Sequence, residues 1–247
     1  MPPRIAIPMP HSTDREYGER AIPQYERAVA LAGGQALRIP LDASATDIGK
    51  LAQSCDAVLL PGSKADVDPM KFRQPRSPHT AAADARREEA DFLLLGDAYA
   101  KHKPVLCICY GLQSLNVFRG GSLVQHIPDF LPDAARAKVD HEAGKNVAVA
   151  HRVEIVGDSL LARIVTEVPR TPTLAVNSSH HQCADAIGDG LRIVARCVED
   201  GIVEALEGTS PDHFVVAVQW HPERSVDGDA ASQAIFRALI QAAGSVG

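Results

Sequence analysis

In the first half of the chain, short apolar runs alternate with longer stretches in which apolar positions recur at helical spacing. "RIAI" from Arg4 reads as a strand, and the segment around Tyr25, Val29 and Leu31 reads as a helix that closes at Gly33 and Gly34. Further strands are expected in "QALRIPL" from Gln35, in "CDAVLLPGS" from Cys55, where a buried run enters a turn, and in "PVLCI" from Pro104. Between the last two, residues 83–101 predict a charged, leucine-bearing helix. Strands separated by helices predict βαβ units and a parallel sheet covered on both faces.

Beyond residue 146 the rhythm changes. "VAVAHRVEIV", "TLAVNSS", "LRIVARCVE", "GIVEALEG" and "HFVVAVQW" leave little room for intervening helices, so antiparallel pairing is expected there. A closing helix is expected over 228–243 with Ala231, Ile235, Leu239 and Ile240 inward. The pattern as a whole predicts one α/β domain over residues 1–247, with a central, mostly parallel sheet flanked by helices and antiparallel strands in the C-terminal half. "RQPRSPHTAAA", 73–83, is expected to be its most mobile loop.

Composition narrows the partners. With 247 residues, 45% of them hydrophobic, the chain can bury a large core. A formal charge of -6 with interspersed signs gives no electrostatic reason to bind nucleic acid or an anionic membrane, so a small-molecule partner is expected. No apolar stretch approaches a signal peptide or a membrane span, and five irregularly spaced cysteines argue for free thiols in a reducing compartment. The expectation is a cytoplasmic protein. Oligomeric state is open, a homodimer included.

The chemistry is concentrated in two motifs. In "KPVLCICYGLQSLN" a buried strand runs into a turn at Cys109, Gly111 allows close backbone approach, and Leu112 and Leu115 open a helix. This is the grammar of a nucleophile elbow, which exposes a reactive side chain beside a helix N-terminus, where the dipole favours thiolate over thiol. Cys107, two residues earlier in the strand, is expected to be buried and inert. In "VVAVQWHPERS" a second strand ends just before His221, and Glu223 lies where its carboxylate can orient the imidazole.

With both motifs in hand, the chain resembles the class I glutamine amidotransferases, which carry a Cys-His-Glu triad. Among them it is similar to the γ-glutamyl hydrolases of peptidase family C26, which include γ-glutamyl-γ-aminobutyrate hydrolase. "LLPGSKADVDP" from Leu59, "NVFRGGSLVQHIPD" from Asn116 and "VNSSHHQ" from Val176 carry the likeness from Ala57 to Glu223, and it extends weakly to "PRIAIP". The resemblance implies a flavodoxin-like fold and a hydrolase of linear amides that needs no cofactor. It implies Cys109 as nucleophile toward a γ-glutamyl amide, His221 as proton shuttle and Glu223 as its orienting partner. The backbone amides of Tyr110 and of Gly62 or Ser63 would bind the oxyanion, each such donor worth roughly 3 to 4 kcal/mol. Gln113 and the Ser178–Ser179 backbone would recognise the α-amino and α-carboxylate end of the glutamyl group, and His180 reads as a pocket wall or a structural polar group. Water would resolve the thioester, and γ-glutamyl-γ-aminobutyrate from polyamine breakdown is the suggested substrate.

Two positions depart from the family pattern: Cys107 stands where glycine is usual, and Tyr110 where this branch often has arginine. Loops 64–78 and 129–144 are expected to shape the leaving-amine pocket. No metal is expected, because the spacing of His180, His181, Cys183 and Cys197 matches no structural zinc pattern and adjacent histidines on an extended chain point opposite ways. "LLPGSKADVDP" lacks the G-K-[ST] of a phosphate loop, so no nucleotide is expected. The alternatives are a glutaminase subunit delivering ammonia to a synthase partner, and a non-catalytic ligand-binding member of the family.

Overall fold

The computed structural model describes residues 1–136, 138–144, 146–165 and 173–245. Position 137, within the second expected pocket loop, lies outside them. In chain order the elements are β1 (Arg4–Pro8), α1 (Arg15–Leu31), β2 (Gln35–Ile39), α2 (Ala45–Gln53), β3 (Ala57–Leu60), α3 (Ala85–Lys101), β4 (Val105–Ile108) and α4 (Tyr110–Phe118). There follow β5 (Leu123–Val124), α5 (Ile127–Phe130), α6 (Asp133–Arg136), β6 (His151–Ile155), α7 (Leu160–Val165), β7 (Thr173–Val176) and β8 (Cys183–Ala184). β9 (Leu191–Cys197), β10 (Val203–Gly208), β11 (Val215–Val218) and α8 (Ala230–Gly244) complete the chain.

Nine strands form one sheet in the order β2-β1-β3-β4-β11-β10-β9-β6-β7. The pairs from β2 to β11 are parallel and those from β11 to β7 antiparallel, so the expected division between the two halves is present. Strands β3, β4 and β11 are apolar at every position because both faces are covered. On one face Leu59, Leu106, Ile108, Val216 and Val218 pack with Ile22 and Val29 of α1 and Phe236 and Leu239 of α8. On the other, Val58, Leu60, Cys107 and Ala217 pack with Leu94 and Leu95 of α3 and Leu112 and Leu115 of α4.

Helix starts follow from the sequence. The side chains of Asp14, Ser44, Asp84 and Asp229 each accept a hydrogen bond from a first-turn amide of α1, α2, α3 and α8. The α8 stripe is buried as expected, but Leu31 is exposed; Ile22, Tyr25, Ala28 and Val29 are the inward residues of α1. The 73–83 loop, expected to be mobile, is tied down. Gln125 Oε1 accepts from Ser77 N and Thr80 Oγ1, Gln125 Nε2 donates to Pro75 O, and Asp66 Oδ2 accepts from Ala81 N.

Candidate active site

Three adjacent parallel strands deliver the candidate residues. Cys107 of β4 is in register with Leu60 of β3 and with Ala217 of β11, so the residues that follow these strands emerge side by side. They are Gly62 and Ser63 after β3, Cys109 after β4 and His221 after β11, at the carboxyl edge where parallel sheets place their ligands.

Cys109 has φ 54° and ψ -108°, a left-handed φ that costs a residue with a side chain of order 1–3 kcal/mol and is sustained only by its surroundings. Those surroundings are the Cys109 N–H bond to Val218 O at 2.8 Å and the packing of Gly111 on β3. A Cβ on Gly111 would lie 2.4 Å from Leu60 O, so glycine is what lets α4 seat against the strand. Cys107 is fully buried between α3 and α4, and burial pushes its thiol pKa well up. A small side chain fits there, so the departure from glycine leaves the turn intact.

His221 and Glu223 are buried beside it, with His221 Nδ1 2.7 Å from Glu223 Oε1. Asn177, following β7, holds the histidine backbone from both sides: its Oδ1 accepts from His221 N and its Nδ2 donates to His221 O, each at 2.9 Å. His221 Nε2 has no conventional hydrogen-bond partner among the described residues. Burial alone would lower the imidazole pKa, but Glu223 and then Cys109 outweigh it and push it up to about 9. Burial raises and His221 lowers the Glu223 pKa, and the imidazole wins, leaving a carboxylate. A Cβ on Gly62 would stand 2.9 Å from His221 Cε1 and 3.7 Å from Cys109 Cβ, so thiol and imidazole crowd the same point.

The cavity at this point has a volume of about 260 Å³ and is lined by Cys109, Tyr110, Gln113, Ser63, Ser179 and His221, with Lys64, Glu142 and Arg224 among its charged walls. Tyr110 opens α4, where a first-turn amide has no intrahelical acceptor. The Gly62 amide, by contrast, donates to the buried Tyr25 hydroxyl at 3.0 Å, while its neighbour Ser63 lines the cavity.

The expected glutamyl pocket needs correction at Ser178. Ser178 is fully buried, its hydroxyl donates to His141 O, and its carbonyl accepts from Gly144 N, so Ser179 alone of the pair reaches the cavity. His180 lines the wall, but both ring nitrogens face protein: Nδ1 lies 2.9 Å from Gln182 O and Nε2 3.5 Å from Glu204 Oε1. His181 points the other way, to Asp66 at 3.0 Å. Gln113 does reach the cavity, anchored by its Nε2 bond to Gln182 O at 3.1 Å.

Two supports were missed from the sequence. Arg87 is fully buried, donates to Pro61 O at 2.6 Å and Pro10 O at 3.1 Å, pairs with Asp91 at 2.7 Å, and lies 4.8 Å above the Tyr110 ring. It thereby holds the β3 turn against the elbow. The legible signal was a charged pair, Arg87 and Asp91, on the same stripe of α3 as Leu94 and Ala98. The Asn177 clamp carried no such signal, because it joins segments 44 residues apart.

No helix among the described residues is long and apolar enough to cross a membrane. A family model for peptidase C26 matches residues 5–223. A candidate glutamine amidotransferase of Mycobacterium tuberculosis is 36% identical over 220 residues, which span 89% of this chain and 66% of that relative, so the chain covers just under two thirds of its length. γ-Glutamyl-γ-aminobutyrate hydrolase PuuD of Escherichia coli is 30% identical over 222 residues, 89% of this chain and 84% of the relative. The glutaminase domain of CTPS from Trypanosoma brucei superimposes with a TM-score of 0.64 at 19% identity, covering 98% of this chain and 94% of that one, a likeness of fold. On the strength of a match that runs through the elbow, the histidine strand and nearly all the sheet between, the chain belongs to the peptidase C26 family.

Proposed function

We propose that the protein hydrolyses the γ-amide bond of a small γ-glutamyl compound through a thioester on Cys109. The observation that carries this reading is the convergence of a thiol on a strained elbow and an imidazole–carboxylate pair at one cavity edge, beside Gly62. Cys109 Sγ attacks the γ-carbonyl carbon, and the carbonyl oxygen turns toward the amides of Tyr110 and Ser63. His221 holds the proton and gives it to the departing amine nitrogen as the C–N bond breaks. Water, deprotonated by His221, then attacks the thioester, releasing glutamate and restoring the thiol. Glu223 keeps the imidazole oriented and balances its charge.

The charges around the cavity fit such a substrate. Glu142, Ser179 and Gln113 line the cavity and would receive an α-ammonium, while Arg224, 3.7 Å from Glu223, and Lys64 add positive charge to the same lining. Arg224 Nη1 is buried without a hydrogen-bond partner among the described residues, and would meet a carboxylate on the leaving amine, as in γ-glutamyl-γ-aminobutyrate. The test is turnover of γ-glutamyl p-nitroanilide and of a panel of γ-glutamyl amides, glutamine included. Release of amine, lost in Cys109→Ser, supports the reading. Ammonia from glutamine alone, and only with a synthase present, would instead support the glutaminase subunit that the mycobacterial relative's name suggests.

A further inference from the structure

Behind the His180 wall lies a buried cluster that the proposed reaction does not use. Glu204 of β10 is fully buried, and three imidazoles converge on its Oε1: His151 Nε2 at 3.0 Å, His141 Nδ1 at 3.4 Å and His180 Nε2 at 3.5 Å. None of these contacts has hydrogen-bonding geometry, and both Glu204 oxygens, His141 Nδ1 and His180 Nε2 are without a hydrogen-bond partner among the described residues. A buried carboxylate that accepts no hydrogen bond from the protein is costly, and native proteins resolve such a group with an ion or water.

The outer sides of two of the rings are satisfied, while both nitrogens of the third, His151, have no hydrogen-bond partner among the described residues. His141 Nε2 lies 2.8 Å from Asp200 Oδ2, and His180 Nδ1 lies 2.9 Å from Gln182 O. A backbone carbonyl only accepts, so the hydrogen of a neutral His180 is on Nδ1 and its Nε2 turns a lone pair toward the carboxylate. Two acceptors facing each other in a buried site repel; a cation between them turns the contact attractive. Metal-binding histidines show this same division, the outer nitrogen on a carboxylate or carbonyl and the inner one free.

We propose that His141 Nδ1, His180 Nε2 and Glu204 Oε1 bind one divalent cation of the zinc type. The three atoms lie within 4.8 Å of one another, and the two nitrogen–oxygen separations, 3.4 and 3.5 Å, match the edge of about 3.3 Å that tetrahedral bonds of 2.0–2.1 Å produce. Two imidazoles and one carboxylate select zinc over magnesium or calcium, which take oxygen ligands. A cavity of about 260 Å³, which His141 and His180 line together with Ile127, Leu131 and Val139, adjoins the site. A neighbouring triplet, His141, Cys197 and Asp200, is the weaker choice, since His141 Nε2 already engages Asp200 and the Cys197 thiol is directed to Glu199.

The ion joins three segments: the stretch before β6, the stretch after β7 and strand β10. His141 O already accepts from His180 N and from the Ser178 hydroxyl, so the ion completes a clamp behind the cavity wall that carries Ser179. The sequence concealed this set because its members are 39 and 24 residues apart and the visible pair, His180 and His181, points in opposite directions.

The test uses the full chain with Cys109→Ser, which removes a competing thiol. Zinc is added, excess is removed by dialysis, and bound metal is measured by mass spectrometry. About one zinc per chain is expected, falling at least tenfold in Glu204→Gln, and Co2+ in place of zinc should give visible d–d absorption that the same variant loses. Crystals of the wild-type chain grown with zinc should show an anomalous peak between His141, His180 and Glu204, a result that does not depend on how the variant folds. Absence of that peak and of retained zinc overturns the proposal and leaves the rival arrangement, a protonated His141 shared by Asp200 and Glu204. Zinc that persists in Glu204→Gln overturns it equally, as adventitious thiol binding.

Discussion

Replacing Gly62 by alanine tests the placement of the imidazole without touching the triad. Gly62 is outside the left-handed region, so its backbone accepts a side chain. The new Cβ would stand 2.9 Å from His221 Cε1 and 3.2 Å from Tyr25 Oη, where ordinary contact begins at 3.4 Å; the ring must therefore give way by 3.4 − 2.9 = 0.5 Å. A misplacement of 1 Å costs roughly a hundredfold in rate, so half of it on a logarithmic scale costs about tenfold. Stability should change little, because the entropy lost from the unfolded chain on Gly→Ala favours folding by about 0.4–1 kcal/mol and offsets part of the crowding. The assay is kcat and KM on γ-glutamyl p-nitroanilide, with a urea midpoint measured in parallel. A fall in kcat at unchanged midpoint is expected. Unchanged kcat would mean that His221 does not act from the position seen here.

Other perturbations address the rest of the account. Cys107→Ser should lower stability by about 1–3 kcal/mol, from a hydroxyl in an apolar core, while retaining activity per folded molecule; iodoacetamide should label Cys109 ahead of Cys107 and Cys183, whose thiol pKa values burial pushes up, and mass mapping that finds Cys183 first would contradict this. Arg87→Leu leaves Asp91 buried and unpaired and should cost about 3–5 kcal/mol in urea unfolding; a loss under 1 kcal/mol would remove Arg87 as the brace of the β3 turn. His221 keeps its proton to about pH 9 in the folded chain against 6.5 unfolded, so the stability it contributes, about 3 kcal/mol, is complete below pH 6.5 and is lost as pH rises through 9. Glu223→Gln should flatten that loss, and identical pH–stability slopes in the two proteins would show that Glu223 does not set the imidazole pKa.

The division of the sheet was legible because its signal is local: β4 is apolar throughout, since both its faces are covered, and the close spacing of β9, β10 and β11 leaves no room for crossover helices. Cys109, His221 and Gly111 were legible for the same reason, each lying within a few residues of a strand end whose pattern is visible. Long-range pairings were not. Nothing near Tyr25 announces that its hydroxyl takes the Gly62 amide, and nothing near Ser178 says that its carbonyl is spent on Gly144. Leu31 reads with Tyr25 and Val29 as apolar, yet it is exposed at the end of α1, beside a cavity that it lines with Gln233 and Arg237 of α8. Apolar character in the sequence does not tell which residues of a helix end are covered; packing decides that.

The most direct measurement is mass spectrometry of the chain quenched during turnover of a γ-glutamyl amide. Expected is one γ-glutamyl group in thioester linkage on the peptide carrying Cys109 during turnover, absent from Cys109→Ser and from His221→Asn, neither of which releases amine. An adduct on another residue, or amine release that survives loss of the Cys109 sulfur, would contradict it.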